Sequence, residues 1–212
     1  MHYINVRSNR YKGKIMSINY EDLRNLYREP RPTSIAKVQY KIDHHCREFI
    51  SKSPFIILGT DGDVSPKGDF PGFVDVLDDN TIAIPDRSGN NRLDSYINIL
   101  DNPKVAVMFL IPGINEVLRI RGVAEISRDV NLLAKMAVNG EKPKTALIIR
   151  VNEIYLHCAK AVARSDIWNP DKLVKNYSTR EMFAEHVGKS KKEFSDYYDS
   201  ATEEALKNEG RK

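Results

Sequence analysis

Residues 117–126 read VLRIRGVAEI, and the alternation in this run decides the fold class. Val117, Arg119, Arg121 and Val123 fall on one side of an extended chain; Leu118, Ile120, Gly122, Ala124 and Ile126 fall on the other. A period of two predicts an antiparallel strand with one covered face. Working outward, similar short runs rich in Ile, Val, Leu and Phe occupy residues 55–60, 72–77, 81–85, 105–111 and 145–157, with the central strand at 116–126. Gly, Pro, Asn or Asp separate them, and Asp78-Asp79-Asn80 marks a tight turn between two of them. About six strands with few helices predict a small closed antiparallel barrel.

Helical spacing surrounds this β-rich middle. Residues 20–29 read as a short helix. Residues 34–51 read as a longer one, because Ile35, Val38, Ile42, Cys46, Phe49 and Ile50 recur at three- and four-residue steps behind a Thr33 or Ser34 cap. Two further helices are expected near 92–101 and 129–138, and the tail from Asp171 reads as a solvated helix pair. The expected class is therefore mainly β with peripheral helices. It divides into a helical extension (1–52), a barrel (53–168) and a helical tail (169–212).

Composition narrows the function classes. Of 212 residues, 41% are hydrophobic, which suits a globular chain. Lys and Arg number 33 against 29 Asp and Glu, a formal charge of +4 spread along the sequence. Nucleic-acid binding would call for a concentrated basic face and is not expected. Cys46 and Cys158 are too few for a disulfide scaffold. No leader is expected from MHYINVRSNRYKGK, and no membrane span from runs shorter than roughly 18 apolar residues. A cytoplasmic location follows as the expectation.

Three segments concentrate chemistry. In the first, Ile84 to Ser95 (IPDRSGNNRLDS), a strand hands over to a helix through Arg87, Ser88, Asn90, Asn91 and Arg92. Guanidinium forks, amides and backbone N–H groups at a helix N-terminus are what a phosphate needs. The alternative is a polar turn in which Arg pairs with Asp94 or Asp101. The second is DVSPKGD at 63–69, where Ser65 and Lys67 are candidate donors to a phosphate or an electron-rich heterocycle, Pro66 fixes the backbone and Gly68 permits close approach. Its acidic residues do not have calcium-loop spacing. The third is HCAKAVARSDIW at 157–168. Lys160 and Arg164 share a helical face beside Ser165 and Trp168, the only Trp, which suits stacking on a flat ligand or, equally, a core Trp with solvated cations. No Walker loop, G-x-G-x-x-G turn, nucleophile elbow or C-x-x-C pair is present.

Taken together and in order, SPFIILGT (53–60), VSPKGDFPGF (64–73), IPDRSGNNRLDSYINILDNPKVAVMFLIPG (84–113), LRIRGVAEI (118–126) and HCAKAVARSDIW (157–168) resemble the pyridoxamine 5′-phosphate oxidase-like family of FMN-binding split barrels, nearest its uncharacterised FMN-dependent branch. The resemblance implies a six-stranded antiparallel split β-barrel that forms a homodimer with FMN at the subunit interface. It assigns the phosphate to Arg87, Asn90, Asn91 and Arg92, and the neighbourhood of the isoalloxazine ring to Ser65, Lys67 and Gly68. Lys160, Arg164, Ser165 and Trp168 become a closing segment contributed from the other subunit. The implied activity is an FMN-dependent oxidoreductase of a small molecule, with NADH or NADPH as candidate electron donor. The R-P-x-R-x-E-F-W signature of true pyridoxamine phosphate oxidases is echoed only by SDIW at 165–168, which points away from vitamin B6 oxidation. Two alternatives are a non-catalytic flavin carrier or sensor and a haem-binding barrel, the latter needing an axial His from His2, His157 or His186.

Overall fold

The computed structural model describes residues 17–209. The chain divides into two units, Met1–Ala36 and Lys37–Lys212. The first contains α1 (Tyr20–Leu26), closed at its start by a capping box between Asn19 and Asp22, and α2 (Pro32–Ala36); neither buries a residue.

In the second unit the expected single helix over 34–51 does not form. The chain is extended at Gln39, which pairs with Ile154 in both directions: each N–H donates to the other's carbonyl, at 2.9 and 2.8 Å. Helix α3 (His44–Lys52) starts only after Asp43, whose carboxylate accepts the Cys46 N–H at 2.8 Å. Ile42, counted above as part of a helical stripe, is the residue before that cap and lies 2% exposed in the core. A sheet pairing and an Asp cap thus outweigh a continuous helical period.

The strands are β1 (Phe55–Thr60), β2 (Asp63–Gly68), β3 (Asp75–Val76), β4 (Thr81–Pro85), β5 (Lys104–Leu110), β6 (Val117–Ser127) and β7 (Ala146–His157). All neighbours are antiparallel, in the order β2-β1-β5-β6-β7-β4-β3. Two corrections follow. The sheet has seven strands among the described residues, not six, because 63–68 is itself a strand joined to β1 by the Asp61-Gly62 turn, with Gly62 at φ 71°. Its Pro66 hid it, yet proline is admissible on an edge strand, and β2 is one. The sheet also stays open, since β2 and β3 end it without pairing to each other.

The alternation holds from Leu118 onward: Leu118, Ile120, Gly122 and Ala124 are buried, while Arg121 and Val123 are exposed; Val117, expected on the uncovered side, is buried as well. Ile56, Leu58, Ile82, Ile84, Phe109, Ile149 and Ile154 complete one core. β4 is buried at four consecutive positions, since Ala83 faces a second cluster with Leu133, Met136 and Ala146. Leu133 comes from α5 (Val130–Lys135), which therefore covers the outer face of the sheet at this point. That is why residues 82–85 read as continuous rather than alternating apolar sequence.

Helix α4 (Asp94–Asp101) follows β4, and α6 (Lys160–Ser165) follows β7. The tail is a short 3₁₀ turn at Pro170–Lys172, then α7 (Thr179–His186) and α8 (Lys191–Asn208), joined by Phe183 stacked on Phe194 with ring centroids 5.5 Å apart. The expected helix pair is present. Among the described residues no helix is long and apolar enough to cross a membrane.

Candidate functional site

Directly paired residues share a face of the sheet. Lys67 lies opposite Ile56, and Ser65 opposite Leu58. Both partners are fully buried, so Ser65 and Lys67 point inward and are half-buried, while Val64, Pro66 and Gly68 are exposed. The Lys67 ammonium lies 5.9 Å from the centroid of the Tyr96 ring. Burial lowers its pKa, and the nearby Asp86 carboxylate pulls it back up. Asp86 sits at the end of β4, its N–H donating to Thr145 O at 3.0 Å. Burial raises its pKa, opposed by Lys67 and by a hydrogen bond with the Tyr96 hydroxyl. Thr145 Oγ1 donates to that hydroxyl at 3.4 Å, and burial raises the Tyr96 pKa. A cation, an acid and a phenol therefore face one another at the mouth of the edge hairpin.

The turn after β4 leads out of this cluster. Arg87 Nε donates to Asp69 Oδ2 at 2.5 Å; the side chains are 16% and 1% exposed. Arg87 is thus a tie between β2's end and the turn rather than an outward fork. Arg92 is different: its side chain is 72% exposed, and its Nε donates to Asp94 Oδ2 at 2.8 Å. The Asn90 side chain accepts the Arg92 N–H at 3.0 Å. Asn91 and Leu93 take left-handed backbone with φ 57° and 61°, whereas Gly89 does not. Leu93 is the N-cap of α4 and supplies no side-chain bond to the helix's first N–H groups. Ser88, Gly89, Asn90, Asn91 and Arg92 are exposed. The Arg92–Asp94 pair is the one the polar-turn reading expected, and residues 88–92 stay exposed at the entrance of α4.

Lys160, Arg164, Ser165 and Trp168 lie apart from this group. Pro85 pairs with Ala146 at one end of β7, and Val117 pairs with His157 at the other. The turn and α6 are therefore separated by a strand path of about 35 Å within one chain. Lys160, Arg164 and Ser165 are exposed, and the Trp168 indole N–H donates to Ile114 O at 2.9 Å in the β5–β6 connection. On the outer face of the same end, Lys37 and Arg119 lie 5.3 and 5.5 Å from the Tyr155 ring. Burial, then Arg119 and Lys37, lower the His157 pKa. At the same end, a hollow of about 330 Å³ opens between residues 37–49 and the β6–β7 pair, with the core residues Leu118 and Ile154 in its lining. Of the other histidines named above, His186 ends α7, and His2 lies outside the described residues. No group of three or more His, Cys, Asp or Glu among the described residues is placed to hold a metal.

Sequence reasoning missed Asp69, Asp86, Tyr96 and Thr145. Asp86 lies inside the quoted 84–95 segment, next to Arg87, and Tyr96 is the third residue of the helix that follows. Asp69 and Thr145 meet the turn through pairings that no local pattern reveals.

The sequence places this open antiparallel sheet in a known class. The pyridoxamine 5′-phosphate oxidase family model matches residues 42–158, and the chain belongs to that family. Among solved structures, HupZ from Group A Streptococcus is 24% identical with a TM-score of 0.42, over 54% of this chain and 93% of that one. An FMN-binding protein from Syntrophomonas wolfei is 14% identical with a TM-score of 0.40, over 53% and 88%. An FAD-binding protein from Mycobacterium smegmatis is 17% identical with a TM-score of 0.38, over 53% and 92%. No curated protein sequence matches the chain.

Proposed function

We propose that this protein is an FMN-dependent oxidoreductase acting on a small molecule, working as a cytoplasmic homodimer with the flavin at the subunit interface. The observation that carries the reading is the position of Lys67: inward-facing, half-buried and beside the donor-rich turn at the entrance of α4. The donor set suits a phosphate monoester, which bears close to two negative charges near neutral pH. Arg92, Asn90, Asn91 and the Ser88 N–H would hold it, each charge-assisted bond worth on the order of 1.5–3 kcal/mol. Arg87 supports the turn through Asp69 and adds its charge.

When bound, flavin supplies reversible hydride and electron transfer, with NADH or NADPH as candidate donor. The chain's own groups prepare the place. Lys67 presents a positive charge that favours an anionic, reduced ring. Asp86 and Tyr96 lie beside that ammonium, the first favouring its charge and the second offering its ring face. Family membership supports the flavin, and the placement of the turn and α6 at opposite ends of β7 supports the dimer. One chain cannot easily bring Lys160, Arg164, Ser165 and Trp168 to its own turn, whereas a two-fold partner can.

The test is a fluorescence titration of the purified apoprotein with FMN, beside a spectrum and mass measurement of any chromophore retained. Wild-type protein is expected to quench FMN. Arg92→Ala is expected to weaken binding tenfold or more, corresponding to about 1.4 kcal/mol. Unchanged affinity would remove Arg92 from the clamp, and failure of wild-type protein to bind FMN would overturn the reading.

A further inference from the structure

The turn after β4 already holds a carboxylate from the far end of the chain. Glu209 Oε1 accepts the Ser88 backbone N–H at 2.8 Å, across 121 residues of sequence. We propose that α8 is a displaceable strap over the anion turn, with Glu209 standing where a ligand's phosphate docks, so that tail docking and phosphate binding exclude each other. The inference rests on the reading of this turn as a phosphate site.

Three features support it. First, the turn demonstrably attracts carboxylates: Asp69 pairs with Arg87, Asp94 with Arg92 and Glu209 with Ser88. The Arg87–Asp69 pair is buried and structural, but the other two engage exposed donors that an incoming dianion would take over. Second, the placement of Glu209 is not one the helix favours for itself. Glu209 is the C-cap of α8, and an acidic group there meets the negative end of the helix dipole. Its favourable partner is the cationic turn. Third, the strap is held lightly. The α7–α8 hairpin packs through Phe183, Phe194 and Tyr198, in the first half of α8. Of α8's residues only Phe194 is buried, so the last two turns, past Thr202, bury none. An eighteen-residue helix spans about 27 Å, which lets it be anchored at one end and released at the other.

Exclusion of this kind is reciprocal: what loosens the tail tightens the ligand, and the ligand loosens the tail. Two measurements on the full chain test it. In the first, FMN and inorganic phosphate are titrated against wild type, Glu209→Ala and Arg92→Ala. Glu209→Ala is expected to bind both about three- to tenfold more tightly, and Arg92→Ala more weakly. In the second, trypsin cleavage after Lys207 is timed with and without saturating phosphate, and is expected to accelerate with it in wild type but not in Arg92→Ala. If Glu209→Ala leaves affinity unchanged and phosphate leaves cleavage unchanged, while Arg92→Ala still weakens FMN, the strap is overturned and the phosphate site stands. If wild type takes up neither FMN nor phosphate, the site and the strap fall together.

Discussion

At the scale of single residues, Lys67 shows how one position collects several influences. Its backbone register puts it beside Ile56, its ammonium lies over Tyr96, and Asp86 opposes the effect of burial. Asp86→Asn is expected to lower the Lys67 pKa further, because burial then acts without its counterweight. Titration of the lysine Nζ by NMR reads this directly, and an unchanged or raised value would remove Asp86 as the partner. The sign for stability follows. A lysine whose pKa falls below its ordinary 10.5 on folding leaves the unfolded chain holding the extra proton between those two values. Its contribution to stability therefore rises with pH across that window, and Asp86→Asn extends the window downward. Half of this cluster was legible in the sequence. Ser65, Lys67, Arg87 and Arg92 announce themselves as donors in Pro- and Gly-marked segments. Tyr96 and Asp69 do not, because a tyrosine on a helix and an aspartate after a strand acquire meaning only when the sheet brings them to the same corner. Arg87 was legible as a donor, but the tie of its Nε to Asp69 was not.

At the scale of elements, β6 and β7 form the longest pairing, and one residue sets its shape. Register shifts between Arg121 and Gly122: Arg121 pairs with Glu153 and Gly122 with Val151, which leaves Asn152 as the extra residue of a bulge. A Cβ on Gly122 would lie 2.3 Å from the Arg150 carbonyl oxygen and 3.0 Å from Ile149 Cγ2. The obstacle is largely backbone and cannot rotate away. Gly122→Ala is expected to destabilise the barrel by about 1–3 kcal/mol, read as a lower urea midpoint. An unchanged midpoint would mean that the strands part at the bulge without cost. The same elements explain what a one-dimensional pattern can convey. Alternation revealed β6, and turn residues revealed the β3–β4 hairpin, where the Asn80 N–H donates to Asp78 Oδ1 at 2.7 Å. The break before α3 escaped because Gln39 answers to a β7 partner 115 positions away, and β2 escaped because proline at an edge contradicts only the rules for central strands.

At the scale of the whole molecule, the separation of the turn from α6 makes assembly a question of chemistry rather than of packing. Opposite ends of β7 carry the two halves of the proposed pocket, the turn near Pro85–Ala146 and the α6 cations beyond Val117–His157. In a two-fold dimer each pocket would combine the turn of one protomer with α6 of the other. A variant damaged in the turn, Arg92→Ala, and one damaged in α6, Arg164→Ala, would then each lose both pockets as a homodimer. In a mixed dimer the two lesions fall together in one pocket and leave the other intact. Refolding the two variants in equal amounts gives half mixed dimers, so about a quarter of all pockets should regain wild-type FMN affinity. Stoichiometric flavin titration of the mixture, with each variant alone as reference, counts them. A mixture that binds no more than the average of its parents, although light scattering shows dimers, would place both lesions in the pocket of a single chain.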